Sequence, residues 1–178
     1  MASTTRRQAW FTLSRALDLL AVLVVLFVIY RLFVAPRFMT SRAFPAPHVT
    51  YQTLAGQPFV LTQHRGRVVF LDFFATWCEP CKISLPLVER YARAHPEVDV
   101  VPVDVGEPRE VVAAFARVHG LRHVALDPKT LSQGFFQIDG FPTMVVIDPK
   151  GLLRATWPGL NPAIQMNMAH AEKVLSST

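Results

Sequence analysis

Cys78-Glu79-Pro80-Cys81 are the residues of this chain whose types and spacing suit chemistry. Two thiols separated by two residues can exchange disulfides, form an inert bridge, or share a soft metal ion. Their surroundings favour exchange. The pair follows an apolar run and opens a stretch of helical periodicity, which puts the first thiol at a helix N-terminus. Unpaired N–H groups and the helix dipole there favour thiolate over thiol, and thiolate is the attacking species. Cys81 lies one turn on, within reach of a mixed disulfide formed on Cys78. Two cysteines cannot supply a four-Cys zinc site. The six histidines, His48, His64, His95, His119, His123 and His170, show no ligand-like spacing with the pair. His119 and His123 are four apart, but Gly120 breaks the helix that would align them. Metal carriage and a structural bridge stand as the alternatives to redox exchange.

The elements that must position these thiols can be read from periodicity. Val68 to Phe74, VVFLDFF, is interrupted only by Asp72 and predicts a strand buried on both faces. Cys78 to His95 predicts a helix with Ile83, Leu87, Val88 and Tyr91 on its apolar side, Pro80 in its first turn and a kink at Pro86. Val98 to Val105 reads as a second buried strand, and Glu107 to His119 as a helix closed by Gly120. Tyr51 to Leu54 and Pro58 to Leu61 form a hairpin, followed by a basic turn, His64 to Arg67. Further on come a strand at Val124 to Leu126, a short helix at Lys129 to Phe136, a strand at Thr143 to Asp148 with a hairpin partner at Leu152 to Trp157, and a closing helix at Pro162 to Leu175. Strands alternating with helices imply an α/β fold, a mixed central sheet with helices on both faces.

Composition excludes disorder and relocates the charge. Only 17% of the 178 residues are charged and 51% are hydrophobic. The pI of 9.7 invites a nucleic-acid reading. Six arginines up to Ala43 face one acid, Asp18, a net of +5, whereas twelve basic and twelve acidic residues from Phe44 onward cancel. The excess charge belongs to the N-terminal quarter, and no nucleic-acid partner is expected. There, Leu19 to Tyr30 are apolar without a break, and Ala16 to Ala35 would make about 30 Å of helix, enough to span a bilayer. A buried helix would show a polar face, and this run has none. A cleaved leader is the other alternative, with Ser41-Arg42-Ala43 as its site. Residues 1–15 are then a short cytoplasmic segment, 16–35 an anchor, 36–47 a Pro-rich linker and 48–178 the domain. Three arginines precede the span and three lie within it or just after it, which leaves orientation nearly tied.

The run DFFATWCEPCK closely resembles the active-site segment of the thioredoxin superfamily, and Gly140-Phe141-Pro142-Thr143 resembles its loop bearing a cis proline. An anchor, an N-terminal hairpin and an added strand and helix before that proline are similar to the TlpA/ResA-like branch of bacterial membrane-tethered thiol-disulfide oxidoreductases. The resemblance covers residues 48 to 175 and implies a thioredoxin fold with an N-terminal hairpin and a strand-helix insertion, preceded by one transmembrane helix.

By that resemblance Cys78 is the exposed nucleophile and Cys81 the buried resolving thiol. A cis Pro142 would leave the backbone of Phe141 free to pair with an extended substrate and deny metals a site near the thiols. Trp77 would shield the disulfide, with a buried core tryptophan as its bland alternative. Asp72, buried without an evident partner, should have a raised pKa and serve Cys81 as general base through a water. ResA-like members more typically carry a neutral residue there and a Glu on the active-site helix, where this chain has Ser84. Glu79 sets a negative charge beside Cys78, which opposes thiolate and favours a reducing poise. The expectation is a reductase of extracytoplasmic protein disulfides on a bacterial inner membrane, resupplied by a transmembrane thiol electron donor, with no dissociable cofactor and no metal. A disulfide oxidase or isomerase using the same site, and a copper-handling protein of the same fold, are the competing readings. The copper proteins space their cysteines by three and add a distal His.

Overall fold

Phe70, Leu71, Phe73 and Phe74 have no solvent contact, and the strand that carries them organises the molecule. Each aromatic contributes about 2–3 kcal/mol by leaving water. The computed structural model describes residues 3–30 and 43–177, with side chains at 15, 17–30 and 43–177. The chain separates into two units, Met1–Ala35 and Pro36–Thr178.

The first unit is a helix, α1 (Ser3–Ile29), which begins well before the expected anchor. Its described side chains from Leu17 to Tyr30 are all exposed. Among the described residues no helix is long and apolar enough to cross a membrane. The expected span of 16–35 and most of the expected linker run through positions 31–42, outside the described residues.

The second unit is built on one eight-stranded sheet. Its strands are β1 (Phe44–Pro45), β2 (Thr50–Thr53), β3 (Pro58–Val60), β4 (Val69–Phe74), β5 (Asp99–Val105), β6 (Ala125–Asp127), β7 (Thr143–Ile147) and β8 (Leu152–Pro158). They lie in the order β1-β8-β7-β4-β5-β6-β2-β3. β4, β5 and β6 are parallel and all other pairings antiparallel. Parallel neighbours need crossovers. α2 (Glu79–Ala94) joins β4 to β5, and α3 (Arg109–His119) joins β5 to β6. α3 ends on Gly120, whose φ of 62° only glycine adopts freely. α4 (Leu131–Phe136) precedes β7, and α5 (Ile164–Ser176) closes the chain.

Alternation along β4 divides the core. Val69, Leu71 and Phe73 face Tyr51, Phe59 and α4's Phe136. Phe70 faces Val88 and Tyr91 of α2 and Met168 of α5, while Phe74 faces Leu85 of α2 and Val112 of α3. The mixed sheet with helices on both faces is thus observed, with three helices on the β4 face that holds Phe70, Asp72 and Phe74.

Three local readings need correction. β1 lies inside the expected linker and pairs with β8; two residues in a Pro-rich stretch carry no periodic signal. The basic turn begins as a 3-10 helix, Leu61–His64, pinned where His64 and Arg67 both meet Asp99. α2 carries Pro86 in its interior, where it was expected. Ile83, expected on its apolar side, is 59% exposed, while Ser84 and Glu89 are buried.

Candidate active site

Cys78 and Cys81 form a disulfide with Cα atoms 5.2 Å apart. Cys78 is the N-cap of α2, with extended backbone, and its Sγ accepts the Cys81 N–H at 3.2 Å. A cap position exists because the first turn of a helix has spare donors. On reduction the same N–H and the positive end of the helix face the Cys78 sulfur and stabilise a thiolate there. Pro80 occupies the first turn, where the missing N–H costs nothing.

The expected open nucleophile is corrected by burial: Cys78 is 4% exposed and Cys81 not at all. Cys81 is enclosed with Phe74, Leu85, Val112 and Ala116. The order of accessibility expected of the two sulfurs holds, but only an edge of Cys78 meets solvent.

Asp72 is 1% exposed, on the α2 side of β4 between Phe70 and Phe74. Its cross-strand neighbours are Pro102 on β5 and Met144 on β7, which offer no side-chain donor. Oδ2 has no hydrogen-bond partner among the described residues. Burial alone pushes the carboxyl up from its ordinary 3.8 to about 7.

The peptide bond between Phe141 and Pro142 is cis. Gly159 N–H donates to the Pro142 carbonyl at 2.7 Å, and the Thr143 hydroxyl donates to the Gly140 carbonyl at 2.7 Å. Phe141 makes no backbone hydrogen bond among the described residues, so its N–H and C=O are open to an added strand. Trp77 is 68% exposed and meets the Phe141 ring edge-on at 6.0 Å. That excludes the core-tryptophan alternative. Glu79 is exposed as expected, but its carboxylate accepts from Lys82 Nζ at 2.5 Å, so the charge beside Cys78 is offset. A Glu three residues before a Lys on a helix was a readable signal for this pair.

Two acids at the site were missed. Glu107 accepts from the Thr76 N–H at 2.5 Å and from the Thr76 hydroxyl at 2.6 Å, two residues before Cys78. Asp104, with no exposure, accepts the Glu107 N–H at 3.2 Å. Contacts spanning 31 positions leave no local trace in sequence. Ligand-type side chains cluster at His95, Glu97 and Glu172, at the far end of α2 from the cysteines.

A helix-capping thiol bridged to a buried second thiol, with the cis-proline loop packed against them through Phe141, defines a thiol-disulfide oxidoreductase of thioredoxin fold. A family model described as thioredoxin-like matches residues 66–153. The thiol-disulfide oxidoreductase ResA of Geobacillus thermodenitrificans (strain NG80-2) is 30% identical over 144 residues, 79% of this chain and 83% of that protein. A thiol:disulfide interchange protein DsbE from Chlorobium tepidum superposes with a TM-score of 0.70 at 25% identity, over 76% of this chain and 98% of that one. StoA from Bacillus subtilis superposes at 0.59 and 27% identity, over 70% and 98%. The chain belongs to the TlpA/ResA family of thioredoxin-like proteins.

Proposed function

We propose that this protein is a membrane-tethered reductase of extracytoplasmic protein disulfides. The Cys78 thiolate attacks a partner disulfide, forms a mixed disulfide and releases one partner thiolate. Cys81 gives its proton to Asp72 through a water, and its thiolate attacks Cys78 Sγ. The second partner thiolate leaves, two electrons have passed to the partner, and the Cys78–Cys81 bond remains. Phe141 pairs with the extended partner beside Pro142, and Trp77, Glu79 and Pro80 border its path.

The observation that carries this mechanism is the isolation of Asp72: a carboxyl near 7 is part base and part acid at neutral pH, as a group that takes and returns a proton requires. The direction is supported by burial. Closure of Cys78 from solvent works against the stabilisation that the helix end gives its thiolate, and an oxidase needs its reduced form stabilised strongly. A transmembrane thiol donor would restore the dithiol, and the apolar run from Leu19 with its arginine-rich flanks would hold the domain on the outer side of a bacterial inner membrane.

A measured potential of about −270 mV is the expected result, and about −120 mV would make the protein an oxidase. Membrane fractionation with protease protection of the domain tests the tether: a domain protected in intact spheroplasts overturns the outward orientation.

A further inference from the structure

Glu107 stands between β5 and α3, with both carboxylate oxygens engaged by Thr76. Thr76 belongs to the loop that carries Cys78, whose own N–H donates to Ala75 at 3.1 Å. Behind Glu107 lies Asp104, opposite Phe74 across the parallel β4–β5 pair. Its Oδ1 accepts the Glu107 N–H, while Oδ2 is buried and receives no donor among the described residues. Two carboxyls so placed can hydrogen-bond to each other only if one of them is protonated. Asp127, at the end of β6, faces the same place, with its oxygens held by the N–H groups of Leu131 and Ser132.

We propose that Asp104 and Glu107 work as one acid pair that shares a proton and grips Thr76, and that this grip positions Cys78 for attack. Both are positioning residues, since neither touches the reacting sulfur. The inference rests on the reading above only in taking Cys78 as the attacking sulfur.

Burial first, then the neighbouring Glu107 and Asp127, pushes Asp104 up to about 8. At neutral pH Asp104 therefore keeps its proton. As pH rises past that point the proton leaves, two carboxylates face each other beside Asp127, and Glu107 is pushed from its place against Thr76. The reactivity of Cys78 should then show an alkaline step set by Asp104 in addition to its own titration.

The test is the rate of iodoacetamide alkylation of Cys78 in the reduced full chain as a function of pH, which needs no partner protein. Glu107→Ala is expected to slow alkylation about tenfold at pH 7 and to shift the profile, as loss of alignment does. Asp104→Asn, whose amide N–H donates where the shared proton lies, is expected to keep most of the parent rate at pH 7 and to lack the alkaline step. Thr76→Val, which keeps the N–H but not the hydroxyl, should fall between. An unchanged profile in a folded Glu107→Ala, or an alkaline step that survives in Asp104→Asn, overturns the proposal. If Glu107→Ala does not fold, the Asp104→Asn and Thr76→Val profiles decide it by the same criteria. A parent protein that reduces no protein disulfide while these profiles still behave as expected would remove the proposed function and leave the acid pair standing.

Discussion

Asp72 and Asp104 lie on adjacent parallel strands, face the same helices and have almost no contact with solvent, yet their surroundings differ in kind. Asp72 sits between Phe70 and Phe74 with Pro102 and Met144 at its sides, and nothing donates to its Oδ2. Asp104 sits among polar groups: a backbone N–H, the Glu107 carboxyl and Asp127. Burial raises both, to about 7 and about 8, but in Asp72 it acts alone and in Asp104 other carboxyls add to it. An acid without partners is free to move a proton. One tied to a second acid holds its proton in a structural bond and fixes what that bond is attached to.

The contrast can be broken most sharply at Cys81, the sulfur that Asp72 is proposed to serve. Cys81→Ala should lower turnover by about 10³-fold or more and accumulate partners as mixed disulfides on Cys78, seen on non-reducing gels. Release of free partner at the parent rate would remove resolution by Cys81, and with it the role of Asp72.

Asp72→Asn should slow resolution about 10²-fold at pH 8 and have little effect at pH 5.5, where the parent carboxyl is already protonated. Stopped-flow decay of a preformed mixed disulfide reads this, and a flat parent-like ratio across pH would make the two acids alike. The same substitution has a sign in stability. Between pH 3.8 and about 7 the unfolded chain has lost the Asp72 proton and the folded one keeps it, so the parent loses stability as pH rises through that window. Asn carries no charge, so the variant should be more stable than the parent by up to about 4 kcal/mol at pH 8, and by nearly nothing at pH 4, in urea unfolding.

A finer test is the double variant Asp72→Asn with Asp104→Asn. Strand spacing puts the two positions about 8 Å apart, so their effects on the resolution rate should multiply within about twofold. Strong coupling would mean that the two acids form one network. Smallest is Lys82→Gln, which frees Glu79 to face Cys78: an exposed pair of this kind should change the Cys78 alkylation rate by less than about threefold.

The sequence carried the active-site half of this comparison further than the other. Asp72 was legible because a carboxyl inside VVFLDFF contradicts its own apolar context, and the cysteines because strand, thiol pair and helix follow one another locally. Apart from β1 and the 3-10 turn Leu61–His64, strands and helices of the domain fall within a few residues of where periodicity puts them. Asp104 could not be read, since VDVGEP looks like any strand end and its meaning lies in Thr76, far away in sequence. Ile83 was misplaced because the first turn of α2 serves the cap and the disulfide, so the apolar stripe begins only at Leu85. The solvent closure of Cys78 is likewise a product of tertiary packing, with no signature in residue type.

The two-residue strand β1 has a consequence for company the protein keeps. A sheet's outermost strands are templates on which other chains can stack and precipitate. Here one border is a two-residue strand ending in Pro45, and the other, β3, is three residues long and begins with Pro58. A proline has no N–H to lend, so both borders are poor docks for a stray unfolded chain. If extended polypeptides pair with the Phe141 backbone, as proposed, the protein receives them there and discourages attachment at its rims.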